Sequence, residues 1–230
     1  MIIRGKLGIF FSCFVVCSVA ASPVMGAYGS VMNTVHNLSA SGPGEVKSSE
    51  ETRICRFCHI PHNAELPEAL WSRALSKAQY IMPEISAEGG GRIPTPQPNG
   101  SSRLCLSCHD GTIALGDIAG QPGQIPMRGG QRLQEGRPGF LGTDLSGSHP
   151  ISFKLPEAQP GGRSPENDIG IKTLGVIRAS DTVSLDDMDR MQCTTCHDPH
   201  DDSNYEAGKV PRFWVASTVD EVCLACHVLR

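Results

Sequence analysis

A five-residue pattern, Cys-x-x-Cys-His, occurs four times in this chain of 230 residues. Its thiols belong to Cys55 and Cys58, Cys105 and Cys108, Cys193 and Cys196, and Cys223 and Cys226. The histidines that follow are His59, His109, His197 and His227. Two thiols about one helical turn apart can each bond one vinyl group of the same porphyrin, and the adjacent imidazole then binds the iron. The pattern therefore predicts four covalently bound c-type haems.

Two other uses of paired cysteines need to be weighed against haem. A zinc ribbon also contains Cys-x-x-Cys pairs, and an even number of cysteines also permits disulfides. Neither use explains why a histidine follows every pair. Every cysteine after residue 17 belongs to one of the four motifs, so no thiol is left over for a different framework. We therefore favour haem.

The histidines outside the motifs match the motifs in number. Of the eight histidines in the chain, these four are His36, His62, His149 and His200. Four haems need four sixth ligands, so we predict that these side chains bind the iron atoms from the distal side. Isolated surface histidines are the ordinary alternative. Methionine is the competing ligand and would raise the reduction potential, whereas two histidines predict low potentials. The methionines available are Met32, Met82, Met127, Met188 and Met191.

The order of the motifs repeats once along the chain. One motif of each half continues into x-Pro-His, and the other reads Cys-Leu-x-Cys-His. A histidine outside the motifs precedes each half. This repetition predicts two dihaem modules, residues 28–120 and residues 121–230.

The spacing of the repeat limits which histidines can share an iron. His62 lies three residues after His59, so both side chains leave one short backbone segment and cannot bind one iron from opposite faces. We therefore expect the histidine after each x-Pro to serve the second haem of its module. The resulting pairs are His62 with His109, His200 with His227, His36 with His59, and His149 with His197.

Residues 1–27 have the pattern of a cleaved secretory signal. Arg4 and Lys6 precede an apolar run from Leu7 to Ala20, and small residues follow it. The run is short for a membrane span, although an uncleaved anchor is the alternative. Removal of this segment leaves 18 Lys and Arg against 24 Asp and Glu. The resulting negative charge predicts no nucleic-acid binding.

The composition predicts a mostly irregular fold with a few short α-helices and little β-structure. Aromatic residues make up 5% of the chain, while it has 25 glycines and 17 prolines. This is a poor basis for an ordinary packed core. Four stacked haems would supply the missing apolar surface, and the chain without haem is expected to be largely unfolded.

Several local patterns predict secondary structure. Ser or Thr followed three residues later by an acidic residue favours a capped helix before three of the motifs, at Ser48, Ser184 and Thr218. Ser101 and Ser102 precede the remaining motif. Helical spacing of apolar residues predicts a helix over Pro67–Tyr80, whose Trp71 would pack on a porphyrin. An alternating run predicts a short strand at Ile151–Leu155.

The doubled motifs resemble those of multihaem c-type cytochromes. The run from Cys108 to Thr112, the chain size, the export signal and the stretch His36-Asn37-Leu38-Ser39 together resemble extracellular tetrahaem cytochromes of the OmcE type. That resemblance implies a protein of metal-reducing bacteria that polymerises into filaments with a continuous chain of haems. Asp201 and Asp202 stand where the first module has Asn63 and Ala64, so the second module departs from the first.

Three functions fit these features. The favoured one is an electron conduit without catalytic residues, exported to the cell surface or beyond, that passes electrons to external acceptors such as metal oxides. Its partners would be further copies of itself, joined head to tail with a histidine ligand shared between subunits, and redox partner cytochromes. His36 is the first choice for the shared ligand and His62 the second. The alternatives are a soluble periplasmic shuttle and a multihaem reductase, although a reductase needs an open haem.

Overall fold

Short elements joined by long irregular segments make up the chain. The computed structural model describes residues 30–60, 70–86, 91–119, 124–155 and 170–228. The helices in these ranges are α1 (Gly100–His109), α2 (Leu174–Arg178) and α3 (Val219–Cys226), with short 3-10 helices at Val31–Asn33, Ile54–Phe57 and Cys193–Thr195. The strands are β1 (Lys47–Ser48), β2 (Glu84–Ser86), β3 (Arg92–Pro94), β4 (Met127–Arg128), β5 (Gly170–Ile171) and β6 (His227–Val228). The prediction of a mostly irregular fold is confirmed.

The strands form three separate two-stranded antiparallel sheets in the described ranges, β1 with β4, β2 with β3, and β5 with β6. Lys47 lies opposite Arg128 in the first sheet, and Ile85 lies opposite Ile93 in the second. The third sheet places Ile171 opposite His227, so it fixes the histidine of the fourth motif. Isolated pairs of such short strands are marginal on their own, so these sheets depend on what packs around them.

Buried apolar side chains form three clusters in the described residues. The first contains Phe57, Leu115, Ile118, Ile125 and Met127. The second contains Met82, Leu106 and Leu145. The third contains Leu155, Leu174, Ile177, Val183, Met191, Ala216, Val222 and Cys226. Cysteines of the motifs pack against the first and third clusters, so the predicted attachment thiols lie at the apolar parts of the molecule.

The predicted helix caps are only partly correct. Thr218 is the N-cap of α3, and its hydroxyl accepts a hydrogen bond from the backbone N–H of Glu221 at 3.2 Å. Ser48 accepts a similar bond, but it lies in β1 and the next helix begins only at Ile54. Asn99, rather than a serine, precedes α1, and Ser184 precedes no helix. The predicted cap therefore forms at Thr218, where the helix begins at the next residue, and not at Ser48 or Ser184.

The predicted helix over Pro67–Tyr80 is wrong in its described part, residues 70–80. Leu70 has a positive φ of 51°, which a continuing right-handed helix excludes. The N–H of Ser72 donates to the carbonyl of Cys58 at 3.0 Å, and that of Tyr80 donates to the Gln97 side chain at 2.9 Å. The backbone of this segment makes tertiary hydrogen bonds instead of helical ones. The helical spacing of its apolar residues was therefore not sufficient to predict a helix.

The predicted strand at Ile151–Leu155 is also wrong. Ser152 has a φ of 65°, which interrupts an extended run. The segment does contact residues before the third motif, because the N–H groups of Ser152 and Leu155 donate to the carbonyls of Met191 and Asp189 at 2.6 and 3.0 Å. The segment makes one isolated antiparallel β-bridge, between Lys154 and Arg190, and no continuous strand.

Some predictions fall on parts of the chain that the structure does not cover. The predicted signal over residues 1–27 and the histidine at position 62 both lie outside the described residues. The module boundary at residue 120 stays a prediction. No helix in the described ranges has the length and apolar character needed to cross a membrane.

Candidate functional site

The first and third motifs share one backbone conformation. In each, the chain makes a tight 3-10 turn, and the N–H of the motif histidine donates to the carbonyl of the first cysteine. This hydrogen bond is 2.8 Å long between His59 and Cys55, and 3.0 Å long between His197 and Cys193. The turn gathers the two thiols and the imidazole on one short segment, as attachment of a single porphyrin requires.

The similarity continues beyond these two motifs. Leu70 and Phe213 both have positive φ, 51° and 59°, and each carbonyl accepts a hydrogen bond from the residue after the motif histidine, at 2.8 Å. A tryptophan follows each, with Trp71 edge-on to His59 at 6.2 Å between ring centres and Trp214 edge-on to His197 at 5.1 Å. The segments after the first and third motifs therefore share one local backbone framework.

Trp214 was missed by the sequence analysis. Trp71 was noted, although on a predicted helix that does not form. Aligning the two halves from the motif histidines onward would have placed both tryptophans after the x-Pro-His segment, at unequal spacings. The unequal spacing conceals the correspondence until the backbone hydrogen bonds are known.

The second and fourth motifs lie on α-helices instead. Cys105 and Cys108 are on α1, and Cys223 and Cys226 are on α3. Residues three apart on an α-helix face the same side, so both geometries present a thiol pair in one direction.

Three pairs of histidine rings lie about 6 Å apart in the described residues, two of them edge-on and one with nearly parallel planes. The ring centres are 5.9 Å apart for His36 and His109, 6.0 Å for His59 and His200, and 6.3 Å for His149 and His227. A metal–imidazole bond is about 2.0 Å long and the nitrogen lies about 1.1 Å from the ring centre, so two imidazoles on opposite sides of one ion have centres about 6 Å apart. Each pair therefore fits the two axial ligands of one haem iron, and each contains one motif histidine.

The pairs differ from those predicted. His36 faces the second motif rather than the first, His200 faces the first rather than the fourth, and His149 faces the fourth rather than the third. The pairs His36–His109 and His149–His227 lie within the predicted modules, with the partners exchanged, and the pair His59–His200 joins one module to the other.

A contact of the N-terminal segment accounts for the positions of His36 and His200. Ser30 makes a β-bridge to Asp201, and His36 Nδ1 lies 3.4 Å from the carbonyl oxygen of Pro199. The N-terminal segment therefore lies against the segment that follows the third motif. This contact places His36 and His200 close to the first two motifs. His36 therefore has a partner ring, His109, within its own chain. This pairing counts against the prediction that His36 is the first choice for a ligand shared between subunits.

His197 of the third motif is not paired in this way. Among the described residues, the ring that contacts His197 is that of Trp214, not that of another histidine. His62 lies outside the described residues. Its Nδ1 lies 3.0 Å from the carbonyl oxygen of Arg212.

Backbone carbonyls orient several of the rings. The Nδ1 atoms of His109, His149 and His197 lie 2.6, 2.9 and 3.0 Å from the carbonyl oxygens of Gly139, Pro150 and Arg212. A carbonyl oxygen only accepts, so Nδ1 carries the proton and Nε2 is left with a lone pair for iron.

Burial also favours the ligating form of the distal histidine in the N-terminal segment. Burial, with a smaller contribution from neighbouring His109, lowers the pKa of His36 from 6.5 to about 4. The neutral imidazole, which is the form that binds metal, is therefore the stable one at neutral pH.

Buried hydrogen bonds join the second motif to the third. Ser102 on α1 donates through its hydroxyl to Gln192 Oε1 at 2.6 Å and accepts from the N–H of Cys193 at 3.0 Å. Both Ser102 and Gln192 are buried. The neighbouring thiol of Cys193, together with burial, raises the pKa of Cys105. The attachment sites of these two motifs are therefore in direct contact.

The other neighbouring motifs approach each other through the apolar clusters. Cys58 and Cys108 both pack against the first cluster, Cys226 belongs to the third, and Cys196 packs against the third. Motif one thus lies near motif two, two touches three, and three lies near four. The contacts follow the order of the motifs in the chain.

The donor sets around the motifs suit haem. Three buried side-chain nitrogens, Nε1 of Trp71, Nε of Arg73 and Nδ1 of His227, have no hydrogen-bond partner among the described residues. The first two follow the first motif, and Nε1 of Trp71 is a donor that a porphyrin carboxylate could accept from. No cluster of three or more metal-ligating side chains occurs in the described ranges. The histidine pairs instead offer two imidazoles each, which is the number of axial ligands that haem iron takes.

The family described as "Doubled CXXCH motif" matches residues 187–228, which contain the third and fourth motifs. No curated protein is significantly similar to the chain. The match supports a multihaem c-type cytochrome with covalently bound haem, and it suggests a role in electron transfer.

Proposed function

We propose that the protein is an electron conduit with four bis-histidine haems and no substrate chemistry. The observation that carries this proposal is the set of three histidine pairs with ring centres 5.9 to 6.3 Å apart. Haem, when bound, supplies iron that accepts and releases one electron. The protein's part is to fix the ligands, exclude water from the irons, and keep neighbouring sites close.

The contacts between motifs support conduction along the whole chain. Hydrogen bonds through Ser102 and Gln192 fix the second attachment site against the third. The first attachment site lies beside the second, and the third beside the fourth, through the apolar clusters of the described residues, which supports a linear series. Two ligands at an iron leave no position for a substrate there, which distinguishes a conduit from a reductase.

The first test measures haem number and iron coordination. Intact mass spectrometry of the mature protein should show four haem additions, and electron paramagnetic resonance should show only low-spin ferric iron. A high-spin signal equivalent to one iron would favour the reductase. Zinc, or fewer than four haems, would contradict the proposal.

The proposed setting of this conduit is outside the cell, in a polymer of identical subunits that passes electrons to external acceptors. The resemblance to filament-forming cytochromes supports this arrangement, and exposed apolar side chains are available for subunit contacts. Met32 and Val35, which precede His36, are 61% and 40% exposed, and Leu224 and Val228 of the fourth-motif region are 39% and 42% exposed. A head-to-tail contact between different surfaces produces an open filament when it does not close into a ring.

His62 is the histidine we propose as the ligand shared between subunits, because the other three distal histidines have partners in their own chain. We expect His62→Ala to abolish filaments seen by negative-stain electron microscopy and to convert one haem per chain to the high-spin state. The matched control, His149→Ala, should also produce one high-spin haem but should still form filaments.

Two results would contradict the assembly proposal. Normal filaments of His62→Ala with all haems low-spin would eliminate the shared ligand. A wild-type protein that stays monomeric at high concentration would eliminate the filament and favour the periplasmic shuttle.

A further inference from the structure

Arg73 is a buried cation beside the first motif. Its side chain is 1% exposed, whereas arginines are ordinarily at the surface. The preceding residue, Ser72, donates its N–H to the carbonyl of Cys58 at 3.0 Å and its hydroxyl to the carbonyl of Arg56 at 2.9 Å. These two bonds hold Arg73 against the segment that carries the attachment thiols.

The guanidinium is held by neutral groups. Nη1 donates to the carbonyl oxygen of Leu115 at 2.8 Å and Nη2 to that of Ala114 at 2.6 Å. No carboxylate of the described residues lies within ion-pair distance of it. A guanidinium stays charged in proteins, so a positive charge without a carboxylate partner in the described chain lies in an apolar region.

The corresponding position after the third motif carries no charge. Val215 donates its N–H to the carbonyl of Cys196 at 3.1 Å, as Ser72 does to Cys58. The residue that follows Val215 is Ala216, which is 7% exposed and belongs to the third apolar cluster. The same backbone framework therefore carries a cation at one motif and a methyl group at the other.

We propose that Arg73 raises the reduction potential of the haem attached to Cys55 and Cys58. Reduction adds one electron to the site, and a fixed positive charge nearby stabilises the reduced form, most strongly where water is excluded. This inference rests on the proposed function, because it requires a bound haem.

Other charges around this haem site are better screened. Asp198 contacts His200 at 3.3 Å, but its side chain is half exposed. Glu51 is paired with both Arg53 and Arg56. Among these groups, Arg73 combines full burial with the absence of a described counter-charge, so it should dominate.

The test compares Arg73→Gln, Arg73→Met and Arg73→Lys by spectroelectrochemical titration, followed on the haem-methyl NMR signals of the first site. In the two neutral variants, we expect the ratio of reduced to oxidised haem at that site to fall about tenfold at fixed potential, equivalent to about 59 mV. Arg73→Lys should stay close to wild type. The control Arg53→Gln removes a charge that is 66% exposed and paired with Glu51, so it should shift the ratio far less.

The possible outcomes separate this inference from the proposed function. If a neutral variant retains four low-spin haems and the first site does not shift, the inference fails while the conduit stands. If both neutral variants lose haem and Arg73→Lys does not, Arg73 serves assembly and the inference is overturned. If mass spectrometry finds no covalent haem in the wild type, both fail.

Discussion

Expression of the chain without haem attachment is expected to give a largely unfolded polypeptide. The change consists of producing the mature chain in a reducing cytoplasm without haem-attachment machinery. Amide hydrogen exchange should then be fast throughout, and circular dichroism should show little of the helix seen in the haem-loaded protein.

The physical reason is the small size of the protein's own core. The apolar clusters of the described residues are separate, and the smallest contains only Met82, Leu106 and Leu145. Strands of two or three residues and helices of five to ten residues are too short to be stable alone. Anything that binds only the folded state stabilises it, and covalent haem does so at four predicted positions.

The haem-loaded protein, compared in the same buffer at the same concentration, is the control for this experiment. The apo sample needs a reductant, so that incorrect disulfides between the eight motif cysteines do not hold the chain in compact states. Slow exchange at α1 and α3 in the apo protein, equal to that of the loaded protein, would show that the polypeptide folds without haem.

The sequence predicts the chemistry of the sites better than it predicts their arrangement. The Cys-x-x-Cys-His spacing is a local constraint, because thiols and imidazole must reach one porphyrin. Thr218 was similarly predictable, because an N-cap acts within one turn of helix. The predominance of irregular structure followed from the glycine and proline content.

Long-range features were beyond such reasoning. The helical spacing of apolar residues after the first motif did not indicate that the N–H of Ser72 would donate a hydrogen bond to the carbonyl of Cys58. The partner of His200 depends on where the N-terminal segment lies, through contacts such as that between Ser30 and Asp201. The burial of Arg73 has no signal in the sequence, since arginine is ordinarily exposed.

Replacement of His200 by alanine is expected to leave the first-motif haem without its sixth ligand. His200 and His59 have ring centres 6.0 Å apart with planes 13° from parallel. The variant should show one high-spin haem, and only that haem should bind added imidazole or carbon monoxide readily. The expected loss is complete for one site, because His36 and His149 already face other motif histidines.

Two backgrounds identify the affected haem. In a chain lacking the first attachment site, Cys55→Ala with Cys58→Ala, the His200 replacement should add no new high-spin signal. In the matched control, which lacks the fourth site through Cys223→Ala and Cys226→Ala, the same replacement should still produce one. The reverse pattern would show that His200 binds the iron of the fourth haem, which is the pairing of His200 with His227 predicted from the sequence. The pairing of His59 with His200 would then be wrong. The contact between Ser30 and Asp201, which places the N-terminal segment beside the segment that carries His200, would then be in doubt as well.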